Sequence, residues 1–336
     1  MSCLSFPIKW VGGWRGRCEG FIKSRIHQNT LPIFKGIRNL AWGVIALRNR
    51  WNPEQPVRVP VPIISIGNLT LGGSGKTPLC RWVCEKVKWL GFTPAVLTPV
   101  REDQDEAREH LSEGWKVYAG RDRVSSARKA VSDGADLLVL DDGFQYQRLM
   151  RDLDIVLWDA CVRVDPDYPL LRQPLKMLKK ASLIVFSKMD LENKTGYERT
   201  IQSLERWAGS GKVMAGFAYA VRERWEGMRL LGVTSVNDPY YFARTLQKTG
   251  CRIVGILAFP DHYPFKAKDV ERIQEEATRV RADGVAVTKK DIVKLGSIWF
   301  GALPLRLVTI DLKWVFGQKD FEDVIVTICR MARQRK

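Results

Sequence analysis

The sequence predicts an α/β fold: a mostly parallel sheet with helices on both faces, and a second, smaller α/β lobe joined by a two-stranded linker. Three observations predict it. From Pro62 onward strand-like and helix-like runs alternate, as crossover connections between parallel strands require. The first of those strands, Ile63–Ile66, runs into a glycine-rich turn and then a helical run at Leu79–Leu90. A second alternating series begins after residue 231.

Further strands are predicted at Ala95–Thr98, Lys116–Ala119, Leu137–Leu140, Ile155–Trp158 and Leu183–Ser187, with helices at Arg121–Ser132, Leu170–Lys180 and Tyr197–Trp207. Alternating Ala, Val, Tyr and Trp within 212–231 reads as the linker. Beyond it, strands at Ile253–Leu257, Val285–Thr288 and Leu305–Ile310 alternate with helices at Pro239–Thr249, Ala267–Arg281 and Lys319–Arg333. The expected domains are therefore 1–58, a basic amphipathic helical region; 59–211, a nucleotide-binding domain; the linker 212–231; and a C-terminal α/β lobe over 232–336.

The turn Gly72-Gly73-Ser74-Gly75-Lys76-Thr77-Pro78 has the composition of a phosphate cradle, which makes the larger domain P-loop NTPase-like. Glycines let backbone N–H groups converge on oxyanions, the lysine reaches the outer phosphates, and the threonine hydroxyl can ligate Mg²⁺. The helix that follows directs its N-terminal dipole at the same anion. Thr70 stands where the strict pattern has glycine. The apolar strand Leu137–Leu140 ends in Asp141 and Asp142, the position from which such proteins supply the acid on the metal side of the nucleotide.

Composition narrows the partners. The chain has 336 residues, with 54 Lys+Arg against 37 Asp+Glu, a net charge of +17. That excess implies an anionic partner, and with no RNA-binding signature or zinc-finger spacing, nucleic acid is the least favoured. Seven scattered cysteines do not make a disulfide framework and suit a reducing compartment. No cleavable signal and no apolar run of the roughly 20 residues needed to span a bilayer is present. Leu31–Trp51 instead places Ile33, Ile37, Leu40, Val44 and Leu47 at helical spacing among arginines and tryptophans. That pattern suits either a helix in an anionic membrane interface or one packed on the protein's own core.

Gly67-Asn-Leu-Thr-Leu-Gly-Gly-Ser-Gly-Lys-Thr-Pro78, read with Asp141-Asp-Gly-Phe-Gln145 and Arg151-Asp152, resembles the tetraacyldisaccharide 4'-kinases of lipid A biosynthesis. Gly120-Arg-Asp-Arg123, Leu171-Arg-Gln-Pro174, Asp261-His262-Tyr-Pro-Phe265 and Thr288-Lys-Lys-Asp291 are similar to further segments of that family, in the same order. The resemblance implies ATP and Mg²⁺ as cofactors, with Lys76 and the loop on the phosphates and Thr77, Asp141 and Asp142 on the metal. It implies as acceptor the 4'-hydroxyl of a phosphorylated, acylated disaccharide lipid. The expected location is the cytoplasmic face of the bacterial inner membrane, peripheral, against an anionic surface. It also implies a catalytic aspartate paired with His262 across a cleft.

This chain departs from the family where that aspartate lies. It lacks the Ser-Arg-Gly-Tyr-Gly-Arg element, and Leu97-Thr-Pro-Val-Arg101 runs directly into an acidic stretch. Downstream spacing aligns Asp105 with the catalytic acid, and Asp103 is its rival; a solvated acidic loop is the alternative. Tyr146 stands where the family has histidine, and the Leu-Pro-Ala-Gly before Leu171 is missing. A family member with an altered or lost acceptor is one alternative reading. A GTPase-like regulatory or assembly NTPase is another, because Ser187-Lys-Met-Asp190 and Thr288-Lys-Lys-Asp291 resemble the guanine-reading Asn-Lys-x-Asp.

Overall fold

Five strands of the larger sheet are buried at every position, which is why each reads as a nearly continuous apolar run. They are β2 (Ile63–Asn68), β3 (Pro94–Thr98), β5 (Leu137–Asp141), β6 (Leu153–Asp159) and β7 (Leu183–Ser187). The computed structural model describes residues 6–11, 55–70, 72–100, 105–168, 170–191 and 194–334. Leu31–Trp51 and Asp103 lie outside them.

The chain divides into two units. One comprises Gln28–Arg101, Glu113–Ala218 and Leu312–Lys336; the other comprises Met1–His27, Glu102–Ser112 and Tyr219–Asp311. The sheet of the larger unit adds β4 (Lys116–Ala119), β8 (Val213–Val221) and β13 (Ile310–Phe316), in the order β13-β8-β7-β6-β2-β5-β3-β4. From β8 to β4 every neighbouring pair is parallel. Central strand β2 has β5 on one side and β6 on the other, with Ile66 opposite Asp141 and Gly67 opposite Val156. Strand order reverses here, and in open α/β sheets the crevice beyond the strand C-termini at such a point takes the ligand.

Helix α1 (Lys76–Trp89) covers this sheet through Leu79, Cys80, Val83, Cys84 and Val87, one face at helical spacing. The C-terminal helix, Gln318–Gln334, returns to α1. Its Glu322 accepts from Lys86 at 2.6 Å, and Phe321 packs with Trp82 and Trp314. The basic last turn of α1 is thus neutralised by a segment more than two hundred residues away.

The smaller unit is a five-stranded parallel sheet, β1 (Ile8–Trp10), β10 (Arg252–Ala258), β9 (Arg229–Thr234), β11 (Gly284–Thr288) and β12 (Leu305–Val308). Its helices include Pro239–Gln247, capped by Asp238, and Ala267–Arg279, with Asp269 bonded back to the Lys266 N–H. Helix Asp105–Ser112 packs on helix Lys289–Leu295 within this unit.

Several elements differ from expectation. The alternating run 212–231 supplies β8 and the first half of β9, which join different sheets; β8 lies between β13 and β7. The apolar run 305–310 is broken at Thr309, whose N–H is drawn off to the Glu223 carboxylate. The helix expected at Leu170–Lys180 is a 3₁₀ segment, Leu175–Lys180. Pro174 precedes it, and Leu171 bridges back to Thr70, so the first turn is pulled out of helical geometry. Asp105–Ser112, lacking a strong apolar stripe, is a helix that composition did not announce.

Two stability outcomes are expected. A Cβ on Gly67 would lie 2.5 Å from Phe144 Cβ and 2.7 Å from its backbone N, whereas one on Gly73 meets nothing within 4 Å. Urea unfolding should show Gly67→Ala less stable by about 1–3 kcal/mol and Gly73→Ala unchanged. In the smaller unit Glu276 binds Arg279 at 2.6 Å and Lys9 at 2.8 Å, and Arg279 first, then Lys9, holds its carboxyl at about 2. A lowered carboxyl stabilises the fold above its unfolded value, and the effect fades as pH falls towards 2. Glu276→Gln should therefore flatten the stability–pH curve between about pH 4.5 and 2.

Candidate active site

Chain geometry at the end of β2 prepares a concave row of backbone donors. Gly72 and Gly75 take φ of 107° and 87°, values that exclude most side chains. Gly75 is the N-cap of α1 and has no side chain to satisfy the first-turn N–H groups, which are left for an anion. Lys76 and Thr77 open the helix, and Pro78 sits in its first turn, where a missing N–H costs nothing. Ser74 Oγ is buried and makes no hydrogen bond among the described residues, so a polar ligand atom in the turn would satisfy it.

Charged side chains close on this loop from β5 and from the segment before the 3₁₀ turn. Asp141 ends β5, buried, and its charge adds to desolvation in pushing the Cys80 thiol well above its ordinary range. Asp142 follows in the left-handed region at φ 51°, buried, a strained setting for a carboxylate-bearing residue. Arg172 grips it with a fork: Nη1 donates to Oδ1 at 2.7 Å and Nη2 to Oδ2 at 3.1 Å. Lys76 Nζ lies 3.5 Å from the same Oδ1 and donates to Asn68 Oδ1 at 3.4 Å. Arg172 also reaches Asn68 Oδ1, at 3.1 Å, and its backbone N–H donates to Leu69 O at 2.7 Å. The buried guanidinium of Arg123 holds the carbonyls of both Asp141 and Asp142.

Lys76 and Asp142, two of the residues expected from sequence, are thus brought together. Arg172, Asn68 and Arg123 complete the group. Arg172 and Arg123 stood only within quoted motifs; a lone arginine in a loop announces nothing until folding brings it to an acid 30 residues away.

The smaller unit holds the other expected residues. His262 follows β10 in the left-handed region at φ 60°. Its Nε2 lies 3.3 Å from Lys290 Nζ and 3.7 Å from Asp261 Oδ2, and Lys290 also donates to Asp261 Oδ1 at 3.4 Å. Lys290 is on helix Lys289–Leu295, against which helix Asp105–Ser112 packs. The side chain of Asp105 is outside those described. The ring of His262 is thus held at Nε2 between an ammonium and a carboxylate.

The two guanine-reading candidates are placed differently: Asp190 of the first is exposed, whereas the aspartate of the second is not. Lys188 is buried in an ion pair with Asp159 at 2.8 Å. Asp291 is fully buried and accepts from Thr234, Ser235 and Thr288.

The family model for tetraacyldisaccharide-1-P 4'-kinase matches residues 30–100 and 108–330. A tetraacyldisaccharide 4'-kinase from Syntrophus aciditrophicus is 30% identical over 338 residues, covering 85% of this chain and 90% of the relative. This chain belongs to the tetraacyldisaccharide 4'-kinase family. A Methylobacterium radiotolerans member is 32% identical over 286 residues, covering 79% of this chain and 86% of the relative. Among solved structures, LpxK from Aquifex aeolicus in complex with ATP shares the fold, with a TM-score of 0.59 and 22% identity, over 87% of this chain and 97% of that one. The stretch 101–107, between the two matched segments of the kinase model, contains both Asp103 and Asp105.

For the Asp142–Arg172 pair the expected outcome is structural as well as functional. Arg172→Ala removes the fork from a buried carboxylate and should cost about 2–4 kcal/mol, below the full buried-pair range because Arg172 is partly exposed. Arg172→Lys should recover only part of that, since an ammonium cannot replace the fork. Thermal unfolding of the three proteins checks both.

Proposed function

We propose that this protein transfers the γ-phosphate of ATP to the 4'-hydroxyl of a tetraacyldisaccharide 1-phosphate lipid. The observation that carries the reading is the Lys76–Asn68–Asp142–Arg172 cluster at the mouth of the glycine turn, in a chain belonging to the 4'-kinase family. In this reading Gly72 to Gly75 bind the phosphates through backbone N–H groups, and Ser74 adds its hydroxyl. Lys76 neutralises charge spreading over the transferred phosphoryl group, the largest protein contribution to such a reaction. Thr77 with Asp141 and Asp142 would hold a divalent cation, Mg²⁺, which when bound supplies further neutralisation of phosphate charge.

Asp105 is the proposed base that takes the proton from the sugar hydroxyl. His262 assists it: the ring, positioned by Lys290 and Asp261, would orient the carboxylate and favour its ionised form. The buried state of Asp291 argues against Thr288–Asp291 as a guanine reader, and membership of the 4'-kinase family argues against the GTPase-like alternative as a whole. The acceptor lies in a membrane, and no helix among the described residues is long and apolar enough to cross one. We place the enzyme peripherally on the cytoplasmic face of the inner membrane, with the net charge of +17 drawing it to anionic lipid.

Radiolabel transfer from γ-labelled ATP to the disaccharide 1-phosphate lipid tests the reading. Lys76→Ala should reduce kcat by about 10²–10³-fold, as loss of a group stabilising transition-state charge does. Asp105→Ala should cost about 10²–10⁴-fold with ATP binding retained. Full activity in Asp105→Ala would move the base elsewhere, Asp103 first. Tight ATP binding with no transfer to this lipid would mean that the acceptor has changed.

A further inference from the structure

The smaller unit carries a second cationic site that the transfer reaction does not use. An open cavity of about 740 Å³ lies where β9 and β10 begin, and Arg229, Arg252, Arg279 and Arg281 all line it. No carboxylate is among its described lining residues. Two of the four guanidiniums have structural work. Arg229 donates to the carbonyls of Val280 and Arg281, closing the C-terminus of helix Ala267–Arg279, and Arg279 is paired with Glu276.

The other two do not. Neither Arg252 nor Arg281 makes a side-chain hydrogen bond, ion pair or ring contact among the described residues. Arg281 occupies the left-handed turn position after the helix, at φ 52°, its N–H bonded to Thr278 O. Glycine takes that position at no steric cost, so an arginine there is set against local backbone preference. Phe6 and Ile253 add apolar surface to the same cavity. Two guanidiniums, those of Arg252 and Arg281, are thus gathered with no ion pair among the described residues, beside an apolar wall.

We propose that this cavity binds a phosphate group, with Arg252 and Arg281 as its ligands. Guanidinium forks match phosphate oxygens in pairs, and the volume is in the range of small-molecule sites. The site is distinct from the proposed catalytic one. His262 follows the C-terminal end of β10 and Arg252 begins it, so the seven-residue strand separates them by about 20 Å. The phosphate can come from the aqueous phase or from an anionic phospholipid headgroup.

Cys251 lines the same cavity, half-buried, and reports on its occupancy. The full-length protein would be alkylated with iodoacetamide and Cys251 modification followed by peptide mass spectrometry. The arms are inorganic phosphate against chloride at matched ionic strength, and phosphatidylglycerol against phosphatidylcholine vesicles. Cys251 labelling should slow about fivefold, as ~80% occupancy gives, with phosphate, with phosphatidylglycerol, or with both. Protection by phosphate alone assigns a soluble ligand; protection by vesicles alone assigns a headgroup. In Arg281→Gly, which relieves the left-handed strain and should fold at least as well, the protection should disappear while ATP turnover stays unchanged. Arg252→Gln is the second variant and should behave alike. Equal labelling under all conditions, or protection that persists in both variants, would overturn the proposal.

Discussion

A single buried carboxylate organises the nucleotide side of this protein. Asp142 is 6% exposed and sits in a left-handed conformation. An uncompensated charge at that depth would cost several kcal/mol, so the fold holds together there only if cations are brought to it. Arg172 and Lys76 are those cations, and each belongs to a different piece of chain. Holding Asp142 therefore fixes the start of α1, the tip of β5 and the segment before Pro174 in one arrangement. Further hydrogen bonds tie the tip of β5 and the segment before Pro174 to the end of β2: Gly143 N–H on Ile66 O, Gln145 Nε2 on Asn68 O, and Arg172 N–H on Leu69 O. The outcome is preorganisation, since the groups proposed to meet phosphate charge are already held close together.

Parallel-sheet topology explains why the proposed functional residues of each unit are placed alike. In each unit the central strands are largely buried, and the chemistry follows their C-terminal ends. The larger unit has Asn68, Asp141 and Asp159 there, and the smaller has Ser235, His262 and Lys290. The buried ends need internal polar partners, and these determine which residues remain available. Asp291 is consumed by three hydroxyl-bearing residues, and Lys188 by Asp159. Residues resembling a base-reading motif thus serve as struts, and their chemistry is spent inside the fold.

What could be read from the sequence tracks these physical differences. Strands such as Leu183–Ser187 were legible because burial on both faces leaves a run of apolar residues that little else produces. The glycine turn was legible because its chemistry is local, within seven residues. Arg172 was not, because its meaning depends on Asn68, 104 residues away in the chain. The short strand Ile8–Trp10 exists only through pairing with β10, and no three-residue pattern announces that. Helix Asp105–Ser112 is acidic at its start and depends on packing against helix Lys289–Leu295, so its charge pattern alone suited a loop equally well.

Tyr146 shows how a departure from the family pattern can be absorbed without disturbing the phosphate cluster. It stands where the family has histidine, directly after the Asp-Asp-Gly-Phe-Gln element. Its hydroxyl donates to Asp122, the N-cap of helix Arg123–Ser132, and accepts the Arg123 N–H at 3.1 Å. Its ring lies 5.2 Å under the Arg123 guanidinium, which in turn holds the carbonyls of Asp141 and Asp142. The tyrosine therefore acts one step behind the acids, by fixing the arginine that fixes their backbone. A residue in that role is under a geometric constraint and not a chemical one, because a planar ring with a polar tip satisfies it. Asp142 itself has no such freedom: exchanging it would remove the charge around which Lys76 and Arg172 are arranged. At Tyr146 the departure thus falls on a support, and the cluster proposed to meet phosphate stays intact behind it.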